Sequence, residues 1–270
     1  MNKTIGFIGA GNMGGAIIGG IIKNNLIASD KIFVYDKNKI SADKISRDFK
    51  VNVLTDIKDI SNTDIIILAV KPDVIYSVID NIKKYITNDK IIVSIAAGQS
   101  IKKLSDAFGN DTYKIVRVMP NTPALVGEGM SAISLNQEMQ KPENKETVSD
   151  ILRIFESFGK AEIIPEKLMD AVTGVSGSSP AYVFMFIEAM ADSAVLSGMP
   201  RKQAYTFAAQ AVLGSAKMVL EQDKHPGELK DMVCSPGGTT IEAVKVLEDK
   251  NFRGAIIDAI DACVKKSKSL

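Results

Sequence analysis

The stretch "TIGFIGAGNMGGAIIGGIIK", Thr4–Lys23, decides how the rest of the chain is read. Its apolar opening, Thr4–Gly9, reads as a buried strand, and Gly9–Lys23 reads as a tight turn opening a helix. Gly9, Gly11 and Gly14 stand at G-x-G-x-x-G spacing. The first glycine permits the turn, the second lets a pyrophosphate approach the backbone, and the third lets helix and strand pack closely. The helix N-terminus then faces the negative charge. Ile8, Gly9, Ala10, Gly11, Asn12, Met13 and Gly14 form this candidate pyrophosphate loop. A glycine-rich turn without a ligand is the plain alternative. The run Thr4–Ile22 is uncharged and long enough for a membrane span or signal peptide, but its seven glycines argue for the turn instead.

Working outward, Lys31–Asp36 reads as a second strand, Lys39–Phe49 as a helix and Val51–Leu54 as a short third strand. Asp64–Val70 is apolar on both faces, as a central parallel strand is. Val74–Ile86 has helical period, Lys90–Ala96 is another strand, and a helix starts at Ser100. Tyr113–Met119 and Met130–Leu135 are two further strands. This alternation predicts a Rossmann-like, doubly wound, mainly parallel α/β sheet. Ligands of such sheets bind outside the carboxyl ends of the strands. The candidate cofactor residues there are Asp36, the Ala69-Val70-Lys71-Pro72 and Ala96-Ala97-Gly98 turns, and Asn121. Asp36 would bond the ribose 2′-OH of NADH and repel the 2′-phosphate of NADPH, whereas Lys37, Asn38 and Lys39 would suit that phosphate. Lys71 either contacts the cofactor or reaches solvent. Asn121 either orients the nicotinamide carboxamide or caps a turn.

After Ala161–Pro165 the pattern changes to alanine- and methionine-rich helices, interrupted at Gly177–Pro180, Ser197–Pro200, His225–Glu228 and Ser235–Gly238. The expected domains are residues 1–164, dinucleotide-binding, and 165–270, all-helical. Ala181–Leu196 and Arg201–Leu220 are apolar over more than one stripe. Either they form a central core or a second subunit buries them, and the small size of this half favours the subunit interface.

Composition narrows the classes. With 33 Lys and Arg against 32 Asp and Glu, and no tryptophan, nothing suits nucleic acid or a membrane surface. Two cysteines, Cys234 and Cys263, and one histidine, His225, make no zinc site, so no metal is expected. Cysteine usage fits a reduced, cytoplasmic protein.

"CSPGGTTIEAV", Cys234–Val244, places a second pair of glycines before a helix. Gly237 and Gly238 free the backbone to aim several N–H groups at a small anion such as a carboxylate. Thr239 and Thr240 add hydroxyls at capping positions, and Glu242 gives capping-box spacing, so an ordinary helix cap fits the pattern as well. His225 reads as a helix-start residue. No other histidine is available for an alcohol's proton, whereas a protonated C=N accepts hydride with no strong general acid beside it. Thr240 would then orient the imine nitrogen.

With these residues in view, His225–Glu248, "HPGELKDMVCSPGGTTIEAVKVLE", resembles the signature of the pyrroline-5-carboxylate reductase family. "IGFIGAGNMGGAI", "AVKP", "SIAAG" and "RVMPNTPA" match that family's other blocks in order, so the resemblance spans essentially the whole chain. It implies a Rossmann domain followed by a helical domain interlocked with a second subunit, a homodimer whose assembly into larger oligomers is left open. The implied activity is reduction of L-1-pyrroline-5-carboxylate to L-proline by NADPH or NADH. Ser235, Pro236, Gly237, Gly238, Thr239 and Thr240 would bind substrate, Thr240 as the catalytic group, and each site would draw on both subunits. The chain departs from the family where NADPH-using members often carry a neutral residue at Asp36, and where an asparagine near the adenosine ribose is Asp56. Asp223 stands where a glutamate or similar residue precedes the His-Pro pair. A general imine reductase shares this plan. A β-hydroxyacid dehydrogenase would place a lysine on the helix after Gly174–Gly177, and the residues there are Ser178, Ser179, Pro180 and Tyr182. A nicotinamide-binding regulator without catalysis would show a damaged second loop, and Ser235–Thr240 is intact.

Overall fold

A computed structural model describes residues 1–269. An eight-stranded sheet has the order β3-β2-β1-β4-β5-β6-β7-β8. Its strands are β1 Ile5–Ile8, β2 Ile32–Tyr35, β3 Asn52–Val53, β4 Ile65–Leu68, β5 Ile91–Ser94, β6 Lys114–Met119, β7 Gly129–Leu135 and β8 Gly159–Ile163. All neighbours are parallel except β6 and β7. The chain reverses direction across the sheet between β1 and β4, and such a switch point opens a crevice at the strand ends.

Alternation along the strands builds two core layers. Ile65 and Ile67 of β4 pack with β1 and with helices α1 (Asn12–Lys23), α2 (Lys39–Phe49) and α5 (Lys145–Glu156). Ile66 and Leu68 face the other layer, with α3 (Ile75–Ile82) and α4 (Ile101–Phe108). The stretch Thr4–Ile22 is therefore strand, turn and amphipathic helix. Two elements lie beyond those expected from sequence. α5 buries Ile151, Ile154 and Phe155. β8 is an edge strand, half-buried at best, whose GKAEI sequence carries no apolar alternation.

The chain divides into two compact units. One comprises Met1–Ser178 with the chain end from Cys263, and the other is Ser179–Ala262. This differs from the boundary expected near Ile164, because Glu166–Ser178 is tied to the sheet. The segment holds a 3-10 turn (Glu166–Leu168), α6 (Met169–Val172) and a π-helical turn (Thr173–Gly177). Glu166 Oε1 accepts from Arg117 Nη1 at 2.9 Å and from the Ile101 N–H at 2.7 Å. Ser267 Oγ donates to Asp170 at 2.7 Å, and Cys263 Sγ lies 3.1 Å from Ser178 Oγ.

The helical unit holds α7 (Ser179–Leu196), α8 (Arg201–Glu221), α9 (Pro226–Val233), α10 (Thr239–Asp249) and the first part of α11 (Phe252–Lys268). Within it α7 buries only Ala191, and α8 only Ala204 and Ala208. Phe184, Met185 and Phe207 are each more than 60% exposed (64, 69 and 67%). These helices are not the core of a single chain. The run Glu166–Leu196 also has the length and hydropathy of a membrane span, with 11% of its apolar window buried.

Candidate active site

The first glycine loop is built by three different constraints. Gly9 has φ +110°, and a Cβ there would lie 2.3 Å from the Ala69 carbonyl oxygen. A Cβ on Gly14 would lie 2.6 Å from the Gly9 carbonyl oxygen. Gly11 differs: its φ is −77°, and a Cβ would meet nothing within 4 Å. The protein's own packing does not require glycine at position 11. The residue caps α1 without any side-chain hydrogen bond, so no side chain occupies the first-turn N–H groups. An open approach to unclaimed donors at a helix N-terminus fits a pyrophosphate.

Register brings the other candidate turns to this crevice. The Gly9 N–H donates to Tyr35 O, and the Ala69 N–H donates to Ile8 O, each at 2.8 Å. At the end of β2, Asp36 Oδ2 accepts from the Ala10 N–H and Oδ1 from the Asn38 N–H, both at 2.7 Å. Asn38 in turn caps α2 by accepting from Ile40 N. Past β3, Asp56 caps a 3-10 turn, Ile57–Asn62, and pairs with Lys58 Nζ at 2.9 Å. The Lys58 backbone N–H first, and its ammonium second, hold the Asp56 carboxyl below the usual carboxylate range.

Beyond β4, Ala69 and Val70 are half-buried, while Lys71 and Pro72 are exposed. Beyond β5, Ala96 is buried and Gly98 turns at φ +72°. A contact not anticipated from sequence ties the start of α3 to the residue after the β5 turn: Tyr76 Oη donates to Gln99 Oε1. Asn121 is 9% exposed. Its Nδ2 donates to Ser176 O at 3.0 Å and its Oδ1 accepts from Met130 N at 2.8 Å. Its side chain thus braces the end of β6 against the π-helical turn, and it makes no side-chain cap for the 3-10 turn Thr122–Val126 that it opens. Arg117, Glu166, Tyr76 and Gln99 escaped the sequence reading because each is defined by a partner distant in sequence.

Ser235–Thr240 lies in the helical unit. His225 Nδ1 accepts from Gly227 N at 3.0 Å and so caps α9, a helix-start role. Past α9, the Gly238 N–H closes a turn onto Ser235 O at 3.0 Å, and Gly237 takes φ +65°. Gly238 is the N-cap of α10, with no side-chain hydrogen bond. This corrects the expectation that Thr239 and Thr240 sit at capping positions. They are the first two helical residues, and the Thr239–Glu242 capping box is out of register by one. Gly238 takes the extended backbone of an N-cap, and a Cβ there would approach the rotatable Ser235 Oγ and lie 3.1 Å from the Ser235 carbonyl oxygen. α10 therefore begins as α1 does, on a glycine in extended backbone whose first-turn donors no side chain claims.

Two family profiles match different parts of the chain. The profile described as "Pyrroline-5-carboxylate reductase dimerisation" matches residues 166–270, and that described as "NADP oxidoreductase coenzyme F420-dependent" matches residues 4–98. A pyrroline-5-carboxylate reductase of Escherichia coli (strain K12) is 53% identical over 271 residues, covering 100% of this chain and 99% of that protein. The crystal structure of Plasmodium falciparum pyrroline carboxylate reductase with NADP bound is 37% identical, with TM-score 0.88 over 99% of this chain and 98% of that one. A pyrroline-5-carboxylate reductase from Coxiella burnetii is 32% identical, with TM-score 0.91 over 100% of this chain and 98% of that one. With relatives at this identity matched end to end, the chain belongs to the pyrroline-5-carboxylate reductase family.

Proposed function

We propose that this chain reduces L-1-pyrroline-5-carboxylate to L-proline, the last step of proline synthesis, with NADH or NADPH. Residues 1–164 serve as the dinucleotide-binding half and 165–270 as the substrate and dimerisation half. The observation that carries the reading is the start of α10, where Gly238 caps the helix and no side chain takes its first-turn donors.

In this reading the backbone of Gly237, Gly238, Thr239 and Thr240 binds the substrate carboxylate. Charge-assisted hydrogen bonds and the helix dipole act on it together. Ser235 and Pro236 shape the turn, and the Thr240 hydroxyl bonds the ring nitrogen, where the proton of the protonated imine resides. The first-turn N–H groups of α1, reached across Gly11, hold the pyrophosphate. The Ala69–Pro72 and Ala96–Gly98 turns, with small residues at Ala69, Ala96, Ala97 and Gly98, admit a flat ring. When bound, the dihydronicotinamide supplies the hydride that adds to the C=N carbon. Asn121 supports the site indirectly, by holding the end of β6. A second copy of the chain covers the apolar faces of α7 and α8, giving a homodimer, open to assembly of dimers into larger oligomers, in the cytoplasm.

The test follows oxidation of NADH and of NADPH with pyrroline-5-carboxylate in wild type, Thr240→Ala and Thr240→Ser. Losing a hydrogen bond to a charged group costs about 1.5–3 kcal/mol, so Thr240→Ala should lose about ten- to a hundredfold in kcat/KM with cofactor affinity kept. Thr240→Ser should retain most of the activity. Wild-type kcat/KM in Thr240→Ala would reduce the residue to part of a helix start.

A further inference from the structure

We propose that Tyr76 is a positioning residue for hydride transfer, acting through its hydrogen bond to Gln99 on the Ala96–Gly98 turn. The contact governs the rate of the chemical step and not the affinity for cofactor or substrate. The proposal rests on the reaction proposed above and adds to it two residues outside the sequence blocks that carry the family resemblance.

Strand pairing fixes β4 and β5 against each other only as far as Leu68 and Ser94, which stand opposite one another. The Ile95 N–H then donates to Leu68 O at 3.2 Å. Past that point no backbone hydrogen bond joins Ala69–Pro72 to Ala96–Gly98 among the described residues. These are the two turns that flank the ring in the proposed site. Ala97 and Gly98 carry little side chain to pack, and Gly98 leaves the strand at φ +72°. The turn is therefore held mainly at the residues that follow it. The Ile101 N–H donates to Glu166 Oε1 at 2.7 Å, and Arg117 Nη1 fixes that oxygen at 2.9 Å. Ser100 caps α4 by accepting from Lys103 N at 3.1 Å. Gln99, next to Gly98, accepts at Oε1 from Tyr76 Oη at 2.5 Å, from the first turn of α3.

Gln99 is only 6% exposed, whereas Tyr76 stands on the exposed side of α3. A nearly buried amide oxygen needs a donor, and Tyr76 supplies it. The fold does not depend on the pair, because Ile75 and Ile79 of α3 already share a core with Leu104 and Phe108 of α4. Removing the hydroxyl leaves that core in place and leaves Gln99 Oε1 short of a partner directly beside the turn. Hydride transfer is sensitive to such a change. The reacting atoms must meet at about 3–3.5 Å, and a misplacement of about 1 Å costs about a hundredfold. Affinity is less sensitive, because in the proposed site the pyrophosphate is held at α1 and the substrate carboxylate at α10, away from this contact.

The experiment compares full-length wild type, Tyr76→Phe, Gln99→Leu and the double variant. It measures kcat and KM with pyrroline-5-carboxylate, Kd for NADH and NADPH by nicotinamide fluorescence, and amide hydrogen exchange without cofactor. Tyr76→Phe should lose about three- to tenfold in kcat, the worth of one neutral hydrogen bond, with KM and Kd unchanged. With cofactor deuterated at the transferred position, its isotope effect on kcat should be at least as large as in wild type. Gln99→Leu should show the same loss, and the double variant should be no worse than either single, because all three break one contact. The amides from Gly98 to Ile101 should exchange faster in Tyr76→Phe. Wild-type kcat in Tyr76→Phe, additive losses in the double variant, a smaller isotope effect, or a loss that falls on KM or Kd overturns the proposal. So does a lowered melting temperature with unchanged kcat, which would make the contact purely structural. If wild type oxidises neither cofactor, but Tyr76→Phe still speeds exchange at the turn and alters the fluorescence of bound NADH, the positioning contact stands and the proposed reaction fails. Unchanged exchange and fluorescence in that case remove both.

Discussion

Replacing Gly11 separates a residue the fold needs from one the ligand needs. Gly11 has φ −77°, which any L-residue adopts, and a Cβ there meets nothing within 4 Å. Gly11→Ala should therefore cost only the difference between glycine and alanine at a helix N-cap, about 1 kcal/mol or less. Gly11→Val adds bulk that projects into open space. The cost falls on binding, because the side chain stands where phosphate oxygens must approach the first-turn N–H groups of α1. Each hydrogen bond lost to a charged group is worth about 1.5–3 kcal/mol, so one lost bond weakens Kd about ten- to a hundredfold. Gly9→Ala is the contrasting control. Its φ of +110° and its 2.3 Å approach to the Ala69 carbonyl predict strain of about 1–3 kcal/mol before any clash is relieved. The assay pairs thermal melting without ligand and fluorescence titration with NADH and NADPH. Gly11→Val should melt close to wild type and bind poorly, while Gly9→Ala should melt early. Wild-type affinity in a folded Gly11→Val protein would show that the dinucleotide does not cross this loop.

Three further outcomes follow from named contacts. Asn121→Ala removes its bonds to the part-buried Met130 N–H and Ser176 carbonyl, at about 0.5–1.5 kcal/mol for each, so the melting temperature should fall even without cofactor; an unchanged melting curve would remove its bracing role. Sedimentation should give a dimer at assay concentration, because α7 and α8 leave Phe184, Met185 and Phe207 exposed on one chain, and a folded, active monomer would contradict that. The Asp56 carboxyl should titrate below the usual carboxylate range by NMR, so its contribution to stability is present above its unfolded pKa and is lost as pH falls through the depressed folded value. A midpoint at or above the ordinary value would mean that the Lys58 contact does not persist in solution.

The local geometry of the candidate site was legible in part because it is set by residues close together along the chain. Gly9, Gly11 and Gly14 are read from spacing within one turn, and Asp36 from its place at the end of a strand. His225 as a helix start follows from the proline after it, and the structure has Nδ1 capping α9. Local spacing misplaced one feature: the S/T-x-x-E pattern at Thr239–Glu242 suggests a capping box, but the helix starts one residue earlier, with Gly238 in extended backbone as the N-cap. β8 was not legible, because an edge strand with little to bury needs no apolar alternation.

By itself the sequence determined the order of strands and helices up to β7, the two glycine-opened helices and the excess of apolar surface on α7 and α8. Each follows from a pattern of residues close together along the chain, where backbone freedom and side-chain period act directly. Tertiary structure alone decided which glycine the fold itself requires, since a Cβ at Gly9 is blocked by Ala69 and one at Gly11 by nothing. It also decided that both Asp36 oxygens are engaged, that Asn121 braces rather than reaches out, and that Glu166–Ser178 belongs with the sheet. In the first three of these the deciding partner is tens of residues away or depends on exact register, and short-range hydrogen bonding and steric contact act only after the fold has brought the partners together.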